Sequence, residues 1–250
     1  MNSPDDNLAE APLMSHLLEL RTRLLRAVIC VVLVAVPCVY FANTLFEFLS
    51  APLIAKLPEG GQVIATSVTS GFMAPFKLAL FVALFISIPY ALHQAWAFVA
   101  PGLYKNEKRF AIPLLVSSVV LFYIGIFFAY TLVFPVMFAF FAQSAPKGVA
   151  MMTDISSYLD FVLVMFLAFG VAFEFPVLIM LLVLTGIASV TALKKNRAYV
   201  LLGVFVVSAF LTPADAISMC MMAVPMYLLY EAGLLIAQML ARSAAEPPVS

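Results

Sequence analysis

A single acid, Glu174, stands in an otherwise apolar stretch, Ala172-Phe173-Glu174-Phe175-Pro176. Insertion scales put a charge at mid-membrane about 2.5–3.5 kcal/mol uphill, so such a residue faces protein or water, or holds a proton, and it marks a functional position. Two other acids sit among bases. Glu19 lies in Ser15-His16-Leu17-Leu18-Glu19-Leu20-Arg21, with Arg23 one helical turn further on. An i,i+4 pair of this kind is worth a few tenths of a kcal/mol, and an interfacial helix end would explain it as well as a binding role. Glu107 is followed by Lys108 and Arg109. It reads either as a surface acid among its own bases or as an acceptor for a partner's guanidinium, which carboxylates hold bidentately. Asp215 follows Thr212-Pro213-Ala214, the pattern of an N-cap, an N1 proline and an acidic N3 residue, so helix capping accounts for it. Ser157 to Asp160 has the same form, and Glu231 is a weaker candidate further along. His16 and His93 are each alone, which suits interfacial side chains.

No phosphate-binding glycine loop, zinc-binding histidine pair or serine elbow occurs, so neither a metal nor a cofactor is expected and the chain does not read as an enzyme. Cys30, Cys38 and Cys220 all fall in apolar runs. Cys30 and Cys38 are about 12 Å apart along one helix and cannot bridge, so all three read as buried small hydrophobes.

The elements that must carry these residues follow from composition. Hydrophobic residues make up 65% of the 250 residues, charged ones 10%, and mean hydropathy is +1.11. A soluble domain is nearer 45–50% apolar and about 25% charged. The apolar runs are too long and uniform for barrel strands, which leaves helices crossing a bilayer. Six are predicted: Leu24–Phe41, Phe76–Phe98, Ile112–Phe141, Tyr158–Gly186, Ala198–Leu211 and Ile217–Met239. The fifth would rise only about 21 Å, short of the roughly 30 Å hydrocarbon core. Pro37, Pro89, Pro113, Pro135, Pro176 and Pro225 are expected to kink the helices into a concave wall. One integral-membrane domain is expected over 1–250: a polar extension 1–12, a core 13–240 and a tail 241–250. The acidic start reads as retained, not as a cleaved signal.

Ten of the thirteen Lys and Arg residues fall in the N-terminal flank, the second and fourth connections and the tail. By the positive-inside rule those regions, and both termini, are cytoplasmic. Zero net charge argues against nucleic acid. No internal repeat of the secondary-transporter kind is visible.

The ordered set of motifs resembles the TatC family, the receptor subunits of the twin-arginine protein translocase. The resemblance rests on His16 to Arg21, Ala51-Pro52-Leu53, Phe98 to Glu107, Phe173 to Pro176, Phe210 to Asp215 and Pro225-Met226-Tyr227, and spans about Leu13 to Met239. It implies an inner-membrane protein that binds paired-arginine signal peptides of folded cargo. Such a protein works with single-span TatA and TatB partners, self-associates in a receptor complex, contacts lipid and draws on the proton-motive force. It further implies that Glu19 and Glu107 take the arginines, with Arg21, Phe98 and Leu103 beside them. Pro52, Glu174 and Asp215 match functional positions of the external loop, the membrane and the start of span six. The short spans five and six are where the family meets its partners, and Met219 departs there from a glutamine of some members. Two other readings exist. A proton-coupled solute transporter using Glu174 lacks repeats and broken helices, and an intramembrane protease lacks the residues for its chemistry.

Overall fold

The computed structural model describes residues 4–47, 62–99, 111–144, 152–212 and 216–245. In chain order it consists of α1 (Pro4–Tyr40), a short helical stretch at 42–47, β1 (Gln62–Ile64), α2 (Val68–Val99) and α3 (Ala111–Phe128). A π-helical segment (Ala129–Val133) then leads to α4 (Phe134–Ser144), β2 (Met152–Asp154), α5 (Ile155–Ala172) and α6 (Phe175–Leu184). The chain ends with α7 (Val190–Lys195), α8 (Arg197–Leu211) and α9 (Ala216–Ala245).

Among the described residues five helical stretches are long and apolar enough to cross a membrane: Leu17–Tyr40, Thr69–Phe98, Ile112–Phe141, Ile155–Leu184 and Ala216–Met239. The remaining predicted span is α8, whose 15 residues rise about 22 Å. All six predicted segments are therefore helical, and the fifth is short. The sixth is not: α9 runs for 30 residues, so shortness belongs to span five alone. The first helix also begins earlier than hydropathy suggests, because α1 carries the polar start from Pro4 without a break.

The interruptions follow from proline chemistry. Pro176 has no N–H for the Ala172 carbonyl, and the chain leaves α-helical pairing there. Glu174 N–H donates to Val171 O at 3.0 Å, an i to i−3 bond, before α6 resumes with Leu178 N–H on Glu174 O at 2.8 Å. Ahead of Pro135 the turn widens, and Phe134 N–H reaches back five residues to Ala129 O. Span four is thus a broken helix, which corrects the expectation that broken helices are absent. At the end of α6, Gly186 takes φ +71°, the left-handed turn that only glycine adopts cheaply.

α1 lies on α2, α2 also meets α5, α3 crosses α5, and α9 packs against α6 and α8. The main core gathers Phe134, Met137, Met165, Phe169 and Met222, all nearly or fully buried. The α3–α5 crossing is close. A Cβ on Gly125 would lie 2.5 Å from Phe169 O, and one on Gly170 would lie 2.6 Å from the Phe122 ring. Small residues allow such approach where lipid offers no hydrophobic drive between helices. Outward-facing apolar side chains abound, among them Leu24, Leu33, Val36, Phe210 and Met239. Cys38 is buried and Cys30 partly so, but Cys220 is exposed among these outward residues, contrary to expectation.

The two long connections meet. β1 and β2 pair in parallel, with Gln62 opposite Met152 and Ile64 opposite Asp154. Asp154 is also the N-cap of α5, three residues earlier than the Ser157 start predicted, and Asp160 turns instead to Lys77. Asp154 Oδ1 accepts from Thr66 N–H at 3.0 Å and Thr66 Oγ1 at 2.8 Å; Oδ2 accepts from Ser157 N–H at 3.1 Å. These bonds, the Thr66 backbone N–H foremost and the Ser157 N–H next, pull the carboxyl down to about 2 from its ordinary 3.8.

Candidate functional site

Of the predicted site residues, the structure describes Glu19, Arg21, Phe98 and Glu174. Glu19 and Arg21 lie near the start of span one. Glu19 is half-buried on α1, and Arg23 binds it through Nε at 2.9 Å and Nη2 at 2.6 Å. Both bonds end on Oε1, so the Arg23 contact does not occupy Oε2. A carboxylate offers about four lone-pair sites across its two oxygens, enough for a second guanidinium. Arg21, two residues on, is exposed and points to another face of the helix from Arg23. Phe98 is half-buried in the last turn of α2. Leu103 and Glu107 lie outside the described residues, as do Pro52 and Asp215. Thr212, assigned above as the N-cap of span six, is the C-cap of α8, its hydroxyl donating to Ser208 O at 2.8 Å; the residues it would cap, 213–215, lie outside the described ones.

At the break in span four, Glu174 lines a cleft of about 210 Å³ with Trp96 and Ala95 from α2, Ser118 from α3, and Val177 and Leu181 from α6. Trp96 Nε1–H donates to Ser118 Oγ at 3.1 Å, and both residues are buried. The Ser118 hydroxyl adjoins the Glu174 carboxyl. With an Oγ lone pair taken by Trp96, the hydroxyl proton of Ser118 is left to point onward. Glu174 Oε1 is buried and makes no hydrogen bond among the described residues. An acceptor left without a donor in an apolar surround is costly, and a proton, a water or a ligand donor relieves it. Glu174, at the break, forms one wall of a cleft shared with α2, α3 and α6.

The sequence missed three polar links. Lys77 Nζ bridges α2 to α5 by binding Asp160 Oδ1 and Oδ2 at 2.9 and 2.7 Å. Arg197 Nη2 meets Glu231 Oε2 at 2.6 Å, and Tyr227 Oη donates to Glu231 Oε1 at 2.9 Å, tying α8 to α9. Trp96 with Ser118 is the third. A search for isolated opposite charges inside or beside apolar runs finds the first two pairs; nothing local reveals the third. No group of three or more potential metal ligands occurs among the described residues.

Comparison with known proteins agrees with this architecture. The model of the family described as Sec-independent protein translocase protein (TatC) matches residues 15–225. The Sec-independent protein translocase protein TatC of Haemophilus influenzae is 55% identical over 227 residues, covering 91% of this chain and 89% of its own. The protein so named from Escherichia coli is 54% identical over 222 residues, covering 89% and 86%. A crystal structure of a twin arginine translocase receptor, TatC, superposes with a TM-score of 0.81 at 34% identity, covering 91% of this chain and all of that one.

Proposed function

The chain belongs to the TatC family of Sec-independent protein translocase subunits, and on that premise we propose that it is the signal-peptide receptor of its translocase. It sits in the bacterial inner membrane and has no enzymatic step of its own. Six crossings bring both ends to one side, and the clustering of Lys and Arg makes that side cytoplasmic. Glu19 and Glu107 together receive the two arginines of a signal peptide, and Arg21, Phe98 and Leu103 border the same surface. The observation that carries this reading is the Glu19 carboxylate: half-buried, and held by Arg23 through one oxygen only. Such a group is preset in geometry yet has acceptor capacity for a charge-assisted bond, the strong kind. Pro52 and Asp215 act from the external loop and the start of span six.

Once docked at the surface, the apolar part of the signal lies along the kinked helices, and Glu174 serves as the polar point of that intramembrane path. TatA-like and TatB-like single-span partners bind at spans five and six. The short α8 supports this placement, since about 22 Å of helix leaves the bilayer thin or calls for neighbouring protein. Transport is driven by the proton-motive force, and receptors self-associate.

The test is a cross-linking scan over 15–26 and 98–109 with a twin-arginine signal peptide. Glu19→Ala combined with Glu107→Ala is expected to abolish cross-links, and a twin-lysine peptide to weaken them. Unchanged cross-linking in the double variant refutes the site. The break at Glu174 is the one feature that equally suits a proton-coupled solute transporter. Solute flux in liposomes holding this chain alone would favour that alternative.

A further inference from the structure

α2 passes through Pro89 without ending, running from Val68 to Val99. A proline inside a helix has no N–H for the carbonyl four residues back, and its ring pushes that carbonyl aside and kinks the helix. The carbonyl in question belongs to Phe85. In a bilayer no water replaces the missing donor, so a neighbouring helix must. Tyr123 on α3 does so: its Oη donates to Phe85 O at 2.8 Å. Close by on α2, the buried Ser87 Oγ donates to Ala83 O at 2.7 Å, a back-bond that also bends helices. The bend in α2 is therefore built into Ala83 to Pro89.

α3 holds α2 on both sides of that bend. Before the proline, the Phe85 ring meets Phe122 of α3 and Phe166 of α5, with centroids 6.3 and 6.4 Å apart. Beyond it, Trp96 Nε1–H donates to Ser118 Oγ of α3 at 3.1 Å. Tyr123 itself stands two residues before Gly125, where α3 lies directly on the α5 backbone. Its hydroxyl is thus presented from a part of α3 with little room to move. The arm of α2 beyond the bend carries Trp96 into the Glu174 cleft and ends at Phe98. Nine residues from Pro89 to Phe98 rise about 13 Å, so each 10° of bend moves the tip by about 2 Å. Hydrogen bonds keep their strength over only about 0.5 Å. A recognition surface at the tip needs the bend held far more tightly than proline alone holds it.

We propose that Tyr123 is a positioning residue for signal-peptide recognition: it supplies the hydrogen bond that Pro89 withholds, fixes the bend of α2, and so sets where Trp96 and Phe98 stand. The inference rests on the receptor reading above, in which Phe98 borders the peptide site. Tyr123→Phe keeps the ring and removes this bond alone. The arm is then held to α3 by the Trp96–Ser118 bond without the hydroxyl on the other side of the bend.

Trp96 is the one tryptophan of the chain, so 5-fluorotryptophan makes it a single-site reporter of the arm by fluorine NMR of the whole chain in micelles. Ser118→Ala, which removes its partner, marks the resonance of the released indole. Losing one hydrogen bond shifts an equilibrium by about threefold to tenfold, so Tyr123→Phe should move the native resonance measurably towards that mark. In a Pro89→Ala chain, residue 89 regains an N–H for Phe85 O, and the same Tyr123→Phe change should then leave the resonance where it is. Cross-linking of a twin-arginine peptide to probes over 98–109 should fall at least about threefold in Tyr123→Phe, while probes over 15–26 keep their yield. A mere loss of stability would lower both sets together. An unmoved Trp96 resonance, equal movement with and without Pro89, or equal loss at both probe sets overturns the proposal. Absence of cross-links to the native chain overturns the receptor reading and the positioning role with it. An unmoved resonance beside normal cross-links overturns the role of Tyr123 alone, so the two failures are told apart.

Discussion

Replacing Gly125 with alanine adds one methyl group at the place where α3 and α5 come closest. That methyl would stand 2.5 Å from Phe169 O, 2.9 Å from its carbonyl carbon and 3.1 Å from Gly170 Cα. All three are backbone atoms, so no side chain can swing aside. Ordinary contact begins near 3.4 Å, and the helices must part there by about 0.9 Å. The core beneath, with Phe122 and Phe169 fully buried, loosens with them. Overpacking of a well-filled core typically costs about 1–3 kcal/mol, and a backbone clash belongs at the upper end, about 2–3. Gly170→Ala meets the Phe122 ring at 2.6 Å in the same crossing. One parting of the helices relieves both clashes, so the double variant should cost about 1 kcal/mol less than the two single costs combined. Gly203→Ala is the control. Nothing lies within 4 Å of its added methyl, and helix propensity predicts a gain of about 0.5–1 kcal/mol. The assay is reversible unfolding in mixed micelles, followed by circular dichroism. Gly125→Ala within about 0.5 kcal/mol of the native chain, or strict additivity with Gly170→Ala, would show that the crossing is not closely packed.

Three further outcomes are expected. Asp154 has its carboxyl lowered to about 2 in the fold. Its ionised form therefore favours the folded cap, a contribution whole above about pH 4 and lost as pH falls through about 2. Thr66 and Ser157 amides, followed by hydrogen exchange corrected for intrinsic rate, should lose protection together over that interval, and Asp154→Ala should show the loss at neutral pH; independent behaviour of the two amides would break the link. Arg197→Ala strips Glu231 of its cation and leaves the Tyr227 bond. The pair is half-exposed, so the cost should be about 1–2 kcal/mol, below the 3–5 of a fully buried pair. Adding Glu231→Gln should recover part of it, and no change on Arg197→Ala would mean the clamp is idle. Lys77→Met should cost less than about 1 kcal/mol in the same unfolding assay, as an exposed pair does; a larger loss would make Lys77 a packing residue.

Hydropathy made the helices legible, because a long apolar run has few other solutions. It even marked α8 as short. The isolated Glu174 announced itself by cost alone. What hydropathy could not supply was the path of the backbone between those runs. Pro176 promised a kink, but whether a proline bends a helix or breaks it depends on neighbours, and here Gly233 presses against Pro176 and Ile179 at the break. The start of span four was misplaced by three residues because Ser157 and Asp160 imitate a capping box. Asp154 outcompetes Ser157 by also taking Thr66, a partner 88 positions away. The strands are three residues each, too short for any alternation to register. Trp96 with Ser118 went unseen for the same reason: 22 residues separate donor and acceptor, and only the fold aligns them.

The parallel pairing of β1 with β2 has a temporal side. Gln62 and Met152 are 90 positions apart in the chain. Synthesis at about 5–20 residues per second leaves β1 without its partner for roughly 5–18 s. During that interval the intervening helices α2 to α4 must be made and inserted. Parallel strands cannot close by a hairpin, so no local shortcut exists. When Asp154 finally arrives it caps α5 and captures Thr66 with the same carboxylate. One carboxylate therefore serves both the start of α5 and the joining of the two long connections, and neither can form until α2 to α4 have been made.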